Sequence, residues 1–234
     1  MVVCFVLCFV LSMGFRLHHI SILRSRPRQS LHSTLTDSPQ SVQSCAFTGP
    51  GCVLIASPTQ LEGSLFRSIV LITEKDEAGV VGQVVNKPSA WSMEEMAYES
   101  DHFQANILFA GGEGGKDLAI MIHKYDLGGF SSYLGKGIYI GGSKEAREKI
   151  EAFQAHPKDF KFIFNNLHWA PGVLEKEIKA GKWDVCEVPV DILVQQDEDR
   201  SLELWHELRT TLNLPTEYSG LAGSEARVDD PDPS

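Results

Sequence analysis

The sequence has few of the residue patterns that mark a disulfide-stapled, glycosylated or hydrolytic protein. It carries 5 cysteines in 234 residues, and only Cys52 and Cys186 lie beyond its first 47 positions. No Asn-x-Ser/Thr acceptor and no G-x-S-x-G elbow occurs anywhere in the chain. Because both cysteines stand inside apolar runs, we expect buried, reduced thiols and no disulfide framework.

Metal-binding and phosphate-binding spacings are also missing. The histidines beyond residue 48 never recur at i, i+4 or in a cluster with cysteines, so no metal and no cofactor is predicted. The glycine-rich stretch Gly111–Lys116 departs from a P-loop, because three residues separate Gly111 from Gly115 and Asp117 replaces the Ser/Thr that would bind Mg²⁺. It also precedes a predicted strand, whereas a phosphate cradle needs a helix N-terminus, so a hairpin turn is the favoured interpretation.

Positive charge is scarce in most of the chain. The formal net charge is −10, and residues 1–47 hold four arginines against one aspartate, which gives +3. The remaining residues 48–234 therefore carry −13, because −13 and +3 make −10. Nucleic-acid binding depends on Lys and Arg that neutralise phosphates, so this balance disfavours direct binding to DNA or RNA.

The first 47 residues have the composition of a bipartite targeting presequence. Residues 1–14 hold an apolar run of signal-core length that is too short to span a bilayer comfortably. Residues 15–47 are rich in Arg, Ser, Thr and His with a single acid, as in transit peptides. This order resembles the plastid presequence of algae with secondary plastids. We expect plastid (chloroplast) import and no membrane span in the mature protein; mitochondrial import, secretion, a signal-anchor and a misassigned start codon are the alternatives.

The rest of the chain has the pattern of a single α+β (mixed α/β) domain. Across residues 48–214, hairpin patterns dominate the first half and strand–helix–strand units the second. We expect one main, mostly antiparallel sheet flanked by about four helices, one of them capped by Ser143. Residues 215–234 are acidic, which predicts a disordered tail.

Residues 160–183 form the best-specified local unit of this domain. The run Phe160–Phe164 predicts a buried strand and Asn165–Ala170 a turn. Pro171 stands where the first turn of a helix tolerates it, and Gly181 ends that helix. A strand, a tight loop and a helix are therefore expected in close succession.

This unit also carries a family resemblance. The signature of the AlgH/YqgE family runs roughly G-Y-x-G-W-x-x-G-Q-L-E-x-E-[IL]-x-x-x-x-W. The matching positions are Trp169, Gly172, Leu174, Glu175, Glu177, Ile178 and Trp183; the departures are Asn165, His168 and Val173. Earlier matches are Leu54-Ile55-Ala56, Phe66-Arg67, Asn86-Lys87-Pro88, Gly111-Gly112 and 138–142. The chain thus resembles this family over about residues 51–212, and the resemblance implies a bifurcated sheet curled toward a pseudo-barrel.

The resemblance also shapes the functional hypotheses, because the family is largely uncharacterised and its label as a transcriptional regulator is loose. With no catalytic motif in the sequence, the leading hypothesis is a non-enzymatic binding or regulatory domain with a protein partner. An enzyme or binder acting on a small anionic ligand is the alternative, and direct transcriptional regulation is disfavoured by the acidic body.

The candidate ligand-binding residues surround the helix that follows Pro171. They are Arg67, Asn86, His168, Trp169 and Gly172. Free backbone N–H groups and the helix dipole at this position would favour an anion. In the other interpretation, Asn165 or Asn166 caps the helix and water covers the rest. Trp169 is favoured as a core anchor, with the floor of a cleft beside the helix as its alternative role.

The presequence interpretation makes a direct prediction. The mature protein is expected to begin between Ser33 and Thr48, because Gly49-Pro50-Gly51 marks the domain edge and the upstream residues cannot build a core. N-terminal sequencing of the native protein measures this position. A retained Met1, or recovery of the protein from the medium, would contradict plastid import.

Overall fold

The computed structural model describes residues 41–46, 48–59, 63–96 and 102–217. They form one sheet of eleven strands, four α-helices and two short 3-10 turns. The strands are β1 Gln43–Ser44, β2 Val53–Ala56, β3 Ile69–Asp76, β4 Gly79–Val84, β5 Pro88–Ser92, β6 Ile107–Ala110, β7 Gly114–His123, β8 Ser131–Gly135, β9 Ile138–Gly141, β10 Lys161–Trp169 and β11 Trp183–Glu187. The helices are α1 Ser143–Glu151, α2 Val173–Lys179, α3 Val190–Leu193 and α4 Glu198–Thr211.

The sheet is mostly antiparallel and divides at its central strand, β10. The strand order is β1-β11-β2-β3-β4-β10-β7-β9-β8, and β5 and β6 form a branch attached to β10. The end of β10 pairs with β4, with Trp169 opposite Val80. Its first half pairs with β7 on one edge and, in parallel, with β6 on the other. Asn165 separates the halves with a φ of 66°, so the sheet is bifurcated, as the resemblance predicted.

The sheet also curls until its two ends approach one another. The turn between β8 and β9 reaches β11, where Lys136 Nζ lies 2.7 Å from a carboxylate oxygen of Glu187. Beside it, Gly51 packs so tightly that a Cβ there would lie 3.0 Å from the carbonyl oxygen of Gly135. No ladder joins β1 to β8 within the described residues. The α+β fold is therefore as predicted, with a sheet curled toward a barrel but not closed.

Alternate residues along the strands enter separate cores, as the two-residue period of a strand requires. The core enclosed by the curled sheet is plugged by α4, whose Trp205 is fully buried and donates its indole N–H to the Ala56 carbonyl at 2.7 Å. A second core on the other face of the sheet is covered by α2 through Leu174. A third, beside β7 and β10, is covered by α1 through Ala146.

Strand β10 is longer than the sequence predicted. The prediction of a turn at Asn165–Ala170 is wrong, because the strand continues through Trp169 before α2 begins. The reason is a distant partner: β4 presents an open edge, and pairing with it satisfies the backbone groups of residues 167–169. A turn pattern in the local sequence contains no information about that distant edge.

The glycine-rich stretch Gly111–Lys116 is a crossover over residues 111–113 followed by the start of β7, which corrects the predicted hairpin turn. The strands on either side of it, β6 and β7, lie on opposite edges of β10. A Cβ at Gly111 would lie 2.5 Å from the carbonyl oxygen of Asn165, and one at Gly112 only 2.1 Å from that of Asn166. Glycine is therefore needed because the crossing backbone packs directly on the backbone of β10.

The start of α1 also differs from the prediction. Gly142, with a φ of 71°, occupies the N-cap position, so Ser143 is the first helical residue and not the cap. A Cβ at Gly142 would lie 2.9 Å from the side chain of Leu127. Close packing against Leu127 and the left-handed conformation together explain why glycine precedes the helix.

The folded part begins before the expected domain edge at residue 48. Gln43–Ser44, expected at the end of the presequence, pair antiparallel with Glu187 and Cys186 of β11. The signal core, most of the transit-like segment and most of the acidic tail fall on residues 1–40 and 218–234, which lie outside the described residues. In the part that the structure describes, no helix is both long and apolar enough to cross a membrane.

A lysine lies inside the enclosed core. Lys161 is 1% exposed, and its ammonium donates to the Val85 carbonyl at 2.9 Å and lies 4.0 Å from the centre of the Phe109 ring. Burial lowers the pKa of Lys161 to about 7, because the charged form loses its hydration in the core. Below about pH 7 this buried side chain becomes charged, so its burial then lowers the stability of the folded protein.

This burial predicts how stability depends on pH. Between about pH 7 and 10.5, Lys161 holds a proton in the unfolded chain that it lacks in the folded protein. The free energy of unfolding should therefore rise with pH by up to about 1.4 kcal/mol per unit. Urea denaturation at pH 7 and pH 9 measures the rise. Lys161→Met should lose it and the exposed Lys179→Met should keep it; identical profiles for wild type and Lys161→Met would contradict the buried lysine.

The crossover makes a second prediction. Gly112→Ala should lower the free energy of unfolding by about 1–3 kcal/mol, because its Cβ must displace the backbone of β10. Gly129→Ala is the matched control, since a Cβ at Gly129 meets nothing within 4 Å, and it should change stability by less than about 0.5 kcal/mol. Denaturant titration of both variants makes the comparison, and equal stabilities would show that the crossover does not press on β10.

Candidate functional site

Arg67 and Asn86, two of the five predicted site residues, are neighbours in the structure. The Asn86 side chain donates to the carbonyl of Arg67 at 2.9 Å and accepts from the N–H of Ile69 at 2.8 Å. Asn86 is only 1% exposed, and its side-chain amide binds the backbone at the start of β3. It positions Arg67 and is not itself available to a ligand.

Arg67 is an exposed cation held in an unusual backbone conformation. Its φ is 51°, a region that costs a side-chain-bearing residue about 1 kcal/mol or more. The guanidinium lies 5.0 Å from the centre of the Phe66 ring and 5.2 Å from that of Trp205. Within the described residues no carboxylate lies at ion-pairing distance from it.

Trp169 is a buried core anchor, as the sequence favoured. Its indole N–H and that of Trp183 donate to the same carboxylate oxygen of Glu177, each at 2.9 Å, and the two rings pack edge to face. Burial alone would raise the pKa of Glu177, but the hydrogen bonds from both indoles and from Lys182 more than offset it and lower that pKa. The carboxylate therefore ties α2 to β10 and β11.

His168 and Gly172 complete the predicted group without forming a pocket. His168 is exposed on β10, and Gly172 is the N-cap of α2 with a φ of 76° and no side chain to bond the helix. Neither asparagine proposed as a cap bonds the start of α2, because Asn165 and Asn166 lie within β10. The helix that follows has seven residues, which leaves little dipole to hold an anion.

The structure does not bring the five predicted residues together at one place. Trp169 pairs with Val80 at the start of β4, whereas Asn86 and Arg67 lie beyond the end of β4. Asn86 comes six positions after Val80, which corresponds to about 20 Å of extended chain at 3.3 Å per residue. Neither Arg67 nor Asn86 therefore lies on the rim of the anion site predicted at the α2 N-terminus; the cation at this helix's first turn is Lys75, whose ammonium lies 2.9 Å from a carboxylate oxygen of Glu175.

A cleft lies instead beside Arg67, where β4 and β6 part from β10. Its volume is about 320 Å³. Its walls are residues 63–65, the end of β4, the start of the glycine crossover and Leu167. Its lining residues are Gly63, Ser64, Leu65, Val84, Lys87, Ala110, Gly112, Glu113 and Leu167. The fork of the sheet creates this cleft, because β6 and β4 pair in succession with one edge of β10 and diverge where one replaces the other.

Lys87 is the cationic group of this cleft. It is half-buried, and its ammonium donates to the Phe66 carbonyl at 2.6 Å. Burial, and secondly the nearby Arg67 charge, lower the pKa of Lys87. Among the described residues it has no ion-pair partner. A partly desolvated ammonium with donor capacity to spare is therefore available to an anion.

An acidic residue faces the same cleft. Glu113, at the end of the crossover, accepts a hydrogen bond from the Ser64 hydroxyl at 3.0 Å. Both side chains are exposed. The cleft thus combines an apolar floor from Leu65, Val84 and Leu167 with one cation and one anion at its edge.

Sequence reasoning missed Lys87 and Lys161 as distinctive residues. Lys87 was noted only as part of Asn86-Lys87-Pro88, although a cation that directly follows a buried strand is the signal that could have singled it out. Lys161 was absorbed into the apolar run 160–164. A single charged residue within such a run predicts a buried charge, and it could have been recognised as one.

Comparison with known proteins gives consistent matches. The AlgH-like family model matches residues 53–217. A UPF0301 protein of Thioalkalivibrio sulfidiphilus is 31% identical over 156 residues, which cover 63% of this chain and 82% of that protein. A UPF0301 protein of Chlorobium chlorochromatii is 28% identical over 152 residues, 64% of this chain and 80% of the relative.

Two solved structures share the fold. A crystal structure of a protein from Corynebacterium diphtheriae matches with a TM-score of 0.60 at 19% identity and covers 74% of this chain and 91% of its own. The solution structure of the AlgH protein from Pseudomonas aeruginosa matches with a TM-score of 0.52 at 23% identity, over 68% and 87%. At these identities the likeness concerns the fold alone.

Proposed function

The chain belongs to the AlgH-like family, and from this premise we propose that it is a non-enzymatic binding domain with a regulatory role. Relatives carry the name UPF0301 protein, which assigns no biochemical activity. The proposal therefore depends on the cleft at the fork of the sheet. Lys87 is its recognition group, and the ligand bears an apolar body and one anionic group.

The observation that carries this proposal is the half-buried ammonium of Lys87 beside an apolar floor. Folding has already removed part of its hydration, and its hydrogen bond to the Phe66 carbonyl uses one of three N–H donors. An anion placed against it would gain a charge-assisted hydrogen bond in partly dry surroundings. Leu65, Val84 and Leu167 would bury the apolar part of the same ligand.

A carboxylate fits the charges of the cleft better than a phosphate. Glu113 lines the same cleft as Lys87, so a dianionic group would meet repulsion as well as attraction. A monoanion needs only one cation and leaves Glu113 bonded to Ser64. The carboxylate at the chain end of a partner protein and a small carboxylic acid both satisfy this chemistry.

The Ser64–Glu113 hydrogen bond is the one feature that favours the alternative of an enzyme on a small anionic substrate. A hydroxyl bonded to a carboxylate beside a lysine is a possible nucleophile with a base. Both side chains are exposed to water, and a nucleophile needs a base held in a fixed, sheltered geometry. Binding without chemistry is therefore the simpler use of the cleft. Direct regulation of transcription is disfavoured by the −13 charge of residues 48–234.

We also propose that the protein works in a plastid. Support comes from the composition of residues 1–47 and from the family match, which starts at residue 53 and leaves an N-terminal extension. Because Gln43–Ser44 belong to the sheet, a cleavage point before Gln43 would keep β1 in the mature protein. Mitochondrial import and secretion are the alternatives that cell fractionation distinguishes.

A ligand panel tests the proposed binding function. Short apolar peptides with a free carboxyl end, the same peptides amidated, small branched carboxylic acids and inorganic phosphate are each titrated into the full chain. Protein NMR and the melting temperature report binding. Carboxylates should bind and raise the melting temperature, while amidated peptides should not. Whether the peptides or the small acids bind more tightly identifies the source of the carboxylate.

Variants locate the site and separate the two functions. Lys87→Met should weaken carboxylate binding by about 10-fold or more, the usual worth of a charged hydrogen bond, while the exposed Lys176→Met should bind like wild type. Ser64→Ala should leave binding intact. Absence of carboxylate binding, or equal binding by wild type and Lys87→Met, would overturn the proposal. If the wild type hydrolyses a carboxylate ester and Ser64→Ala does not, the enzyme alternative is favoured.

A further inference from the structure

The described chain ends close to the cationic edge of the cleft. Trp205 of α4 lies against two guanidiniums, with the Arg67 carbon 5.2 Å and the Arg209 carbon 5.3 Å from the centre of its ring. The distance between the two carbons is at most the sum of these values, about 10.5 Å. Arg209 also donates its Nε–H to the Pro215 carbonyl, two residues before the last described residue, Glu217. The C-terminal end of the domain and Arg67 are therefore near one another.

Arg67 and Lys87 form a pair of adjacent cations on this acidic protein. The Lys87 ammonium donates to the carbonyl of Phe66, the residue directly before Arg67. Within residues 41–46, 48–59, 63–96 and 102–217 neither cation has an ion-pair partner, whereas seven other lysines and arginines do. Two like charges at close range repel one another. An anion beside them would therefore relieve a repulsion as well as gain an attraction.

The segment that follows the described residues, 218–234, has the complementary charge. It holds one cation, Arg227, and four acids, Glu225, Asp229, Asp230 and Asp232, so its net charge is −3. Within this C-terminal segment, Val228 directly precedes Asp229. An apolar side chain beside a carboxylate is the combination that the apolar floor and the ammonium of the cleft fit.

The C-terminal segment is long enough to reach the cleft. Asp229 comes twelve positions after Glu217, and twelve residues span up to about 40 Å of extended chain. This is several times the upper limit of about 10.5 Å between the guanidinium carbons of Arg209 and Arg67. The segment can therefore bring its acids to Arg67 and Lys87 without being fully extended.

We propose that the C-terminal segment of this same chain occupies the cleft as an intramolecular ligand, with the Asp229 carboxylate at Lys87 and Val228 on the apolar floor. This inference rests on the carboxylate-binding function proposed above and concerns the regulation of that site. A tethered ligand acts at an effective concentration in the millimolar range. Even a weak contact therefore fills the cleft until a more tightly binding carboxylate displaces it.

Glu113 limits how many carboxylates the cleft accepts. It lines the cleft with Lys87 and accepts a hydrogen bond from the Ser64 hydroxyl. A second added carboxylate would be repelled by it, so one aspartate is expected beside Lys87. The other acids of the C-terminal segment remain at the rim, where the exposed Arg67 offers a second cation.

Zero-length cross-linking of the full chain tests the contact. A water-soluble carbodiimide joins a lysine amine to a carboxylate only where the two groups meet. Trypsin cuts after Arg227 and releases the last acids of the segment on a peptide that begins at Val228. This peptide should be found linked to Lys87, whereas the exposed Lys176 on α2 should not carry it.

Mixing chains with and without a nitrogen isotope label shows whether the link forms within one chain. Absence of the link to Lys87 would overturn the proposal. So would a link found only between labelled and unlabelled chains, because the segment would then occupy the cleft of a second copy.

Charge-neutral variants test the regulation. With Asp229, Asp230 and Asp232 all changed to Asn, a short apolar peptide with a free carboxyl end should bind about 10-fold more tightly than to the wild type. A tethered competitor with a Kd of about 0.1 mM has this effect at a millimolar effective concentration. The matched control combines Glu74→Gln, Glu77→Gln and Asp199→Asn, which remove three exposed charges elsewhere, and it should bind like wild type.

The outcomes separate this inference from the proposed function. If the wild type and the triple Asn variant bind the peptide equally, the C-terminal segment does not occupy the cleft, and the proposed function stands. If neither protein binds an added carboxylate, the proposed function fails, and the cross-link to Lys87 by itself decides whether the segment occupies the cleft.

Discussion

Strand β10 must satisfy three neighbours, and the rest of the structure follows from that constraint. A strand has two hydrogen-bonding edges, yet β4, β6 and β7 all pair with β10. The conflict is resolved by giving one edge to β6 at the start of the strand and to β4 at its end. Asn165, with a positive φ, marks the change. The parting of β4 and β6 opens the cleft, so the candidate site is a product of the fork.

A few buried polar groups lock this arrangement in place. Glu177 gathers two indole N–H groups at one oxygen and so joins a helix to two strands that are distant in the sheet. Arg209, 1% exposed, bonds the Ala56 carbonyl at 3.1 Å and the Asp184 carboxylate at 2.8 Å. Such groups stabilise only when fully bonded, because an unpaired buried charge is costly. Each one therefore specifies a position more sharply than an apolar contact does.

The sequence predicted the fold better than the site, for physical reasons. Apolar periodicity located β2, β3 and α2, and the family resemblance added the bifurcated sheet. Periodicity failed at Asn165–Ala170, because strand extension there depends on the edge of β4, which lies far away in the chain. It failed at the glycine crossover, because glycine is required both where two backbones pack closely and where a hairpin turns, and the sequence does not distinguish the two cases. The sequence singled out Arg67 because it interrupts an apolar stretch before a strand. The distance between Arg67 and Trp169 depends on the length and register of β4, which the sequence alone does not show.

The late position of β10 in the chain has a consequence for how the protein folds. Residues 85–160 separate β4 from the strand that completes its edge, so much of the sheet depends on contacts of long sequence separation. Chains with such contacts fold slowly. A growing chain that does not yet include residue 169 would present β4 as an apolar strand with an unpaired edge, a template for wrong pairing. The risk of wrong pairing is therefore highest in the interval before β10 reaches the edge of β4.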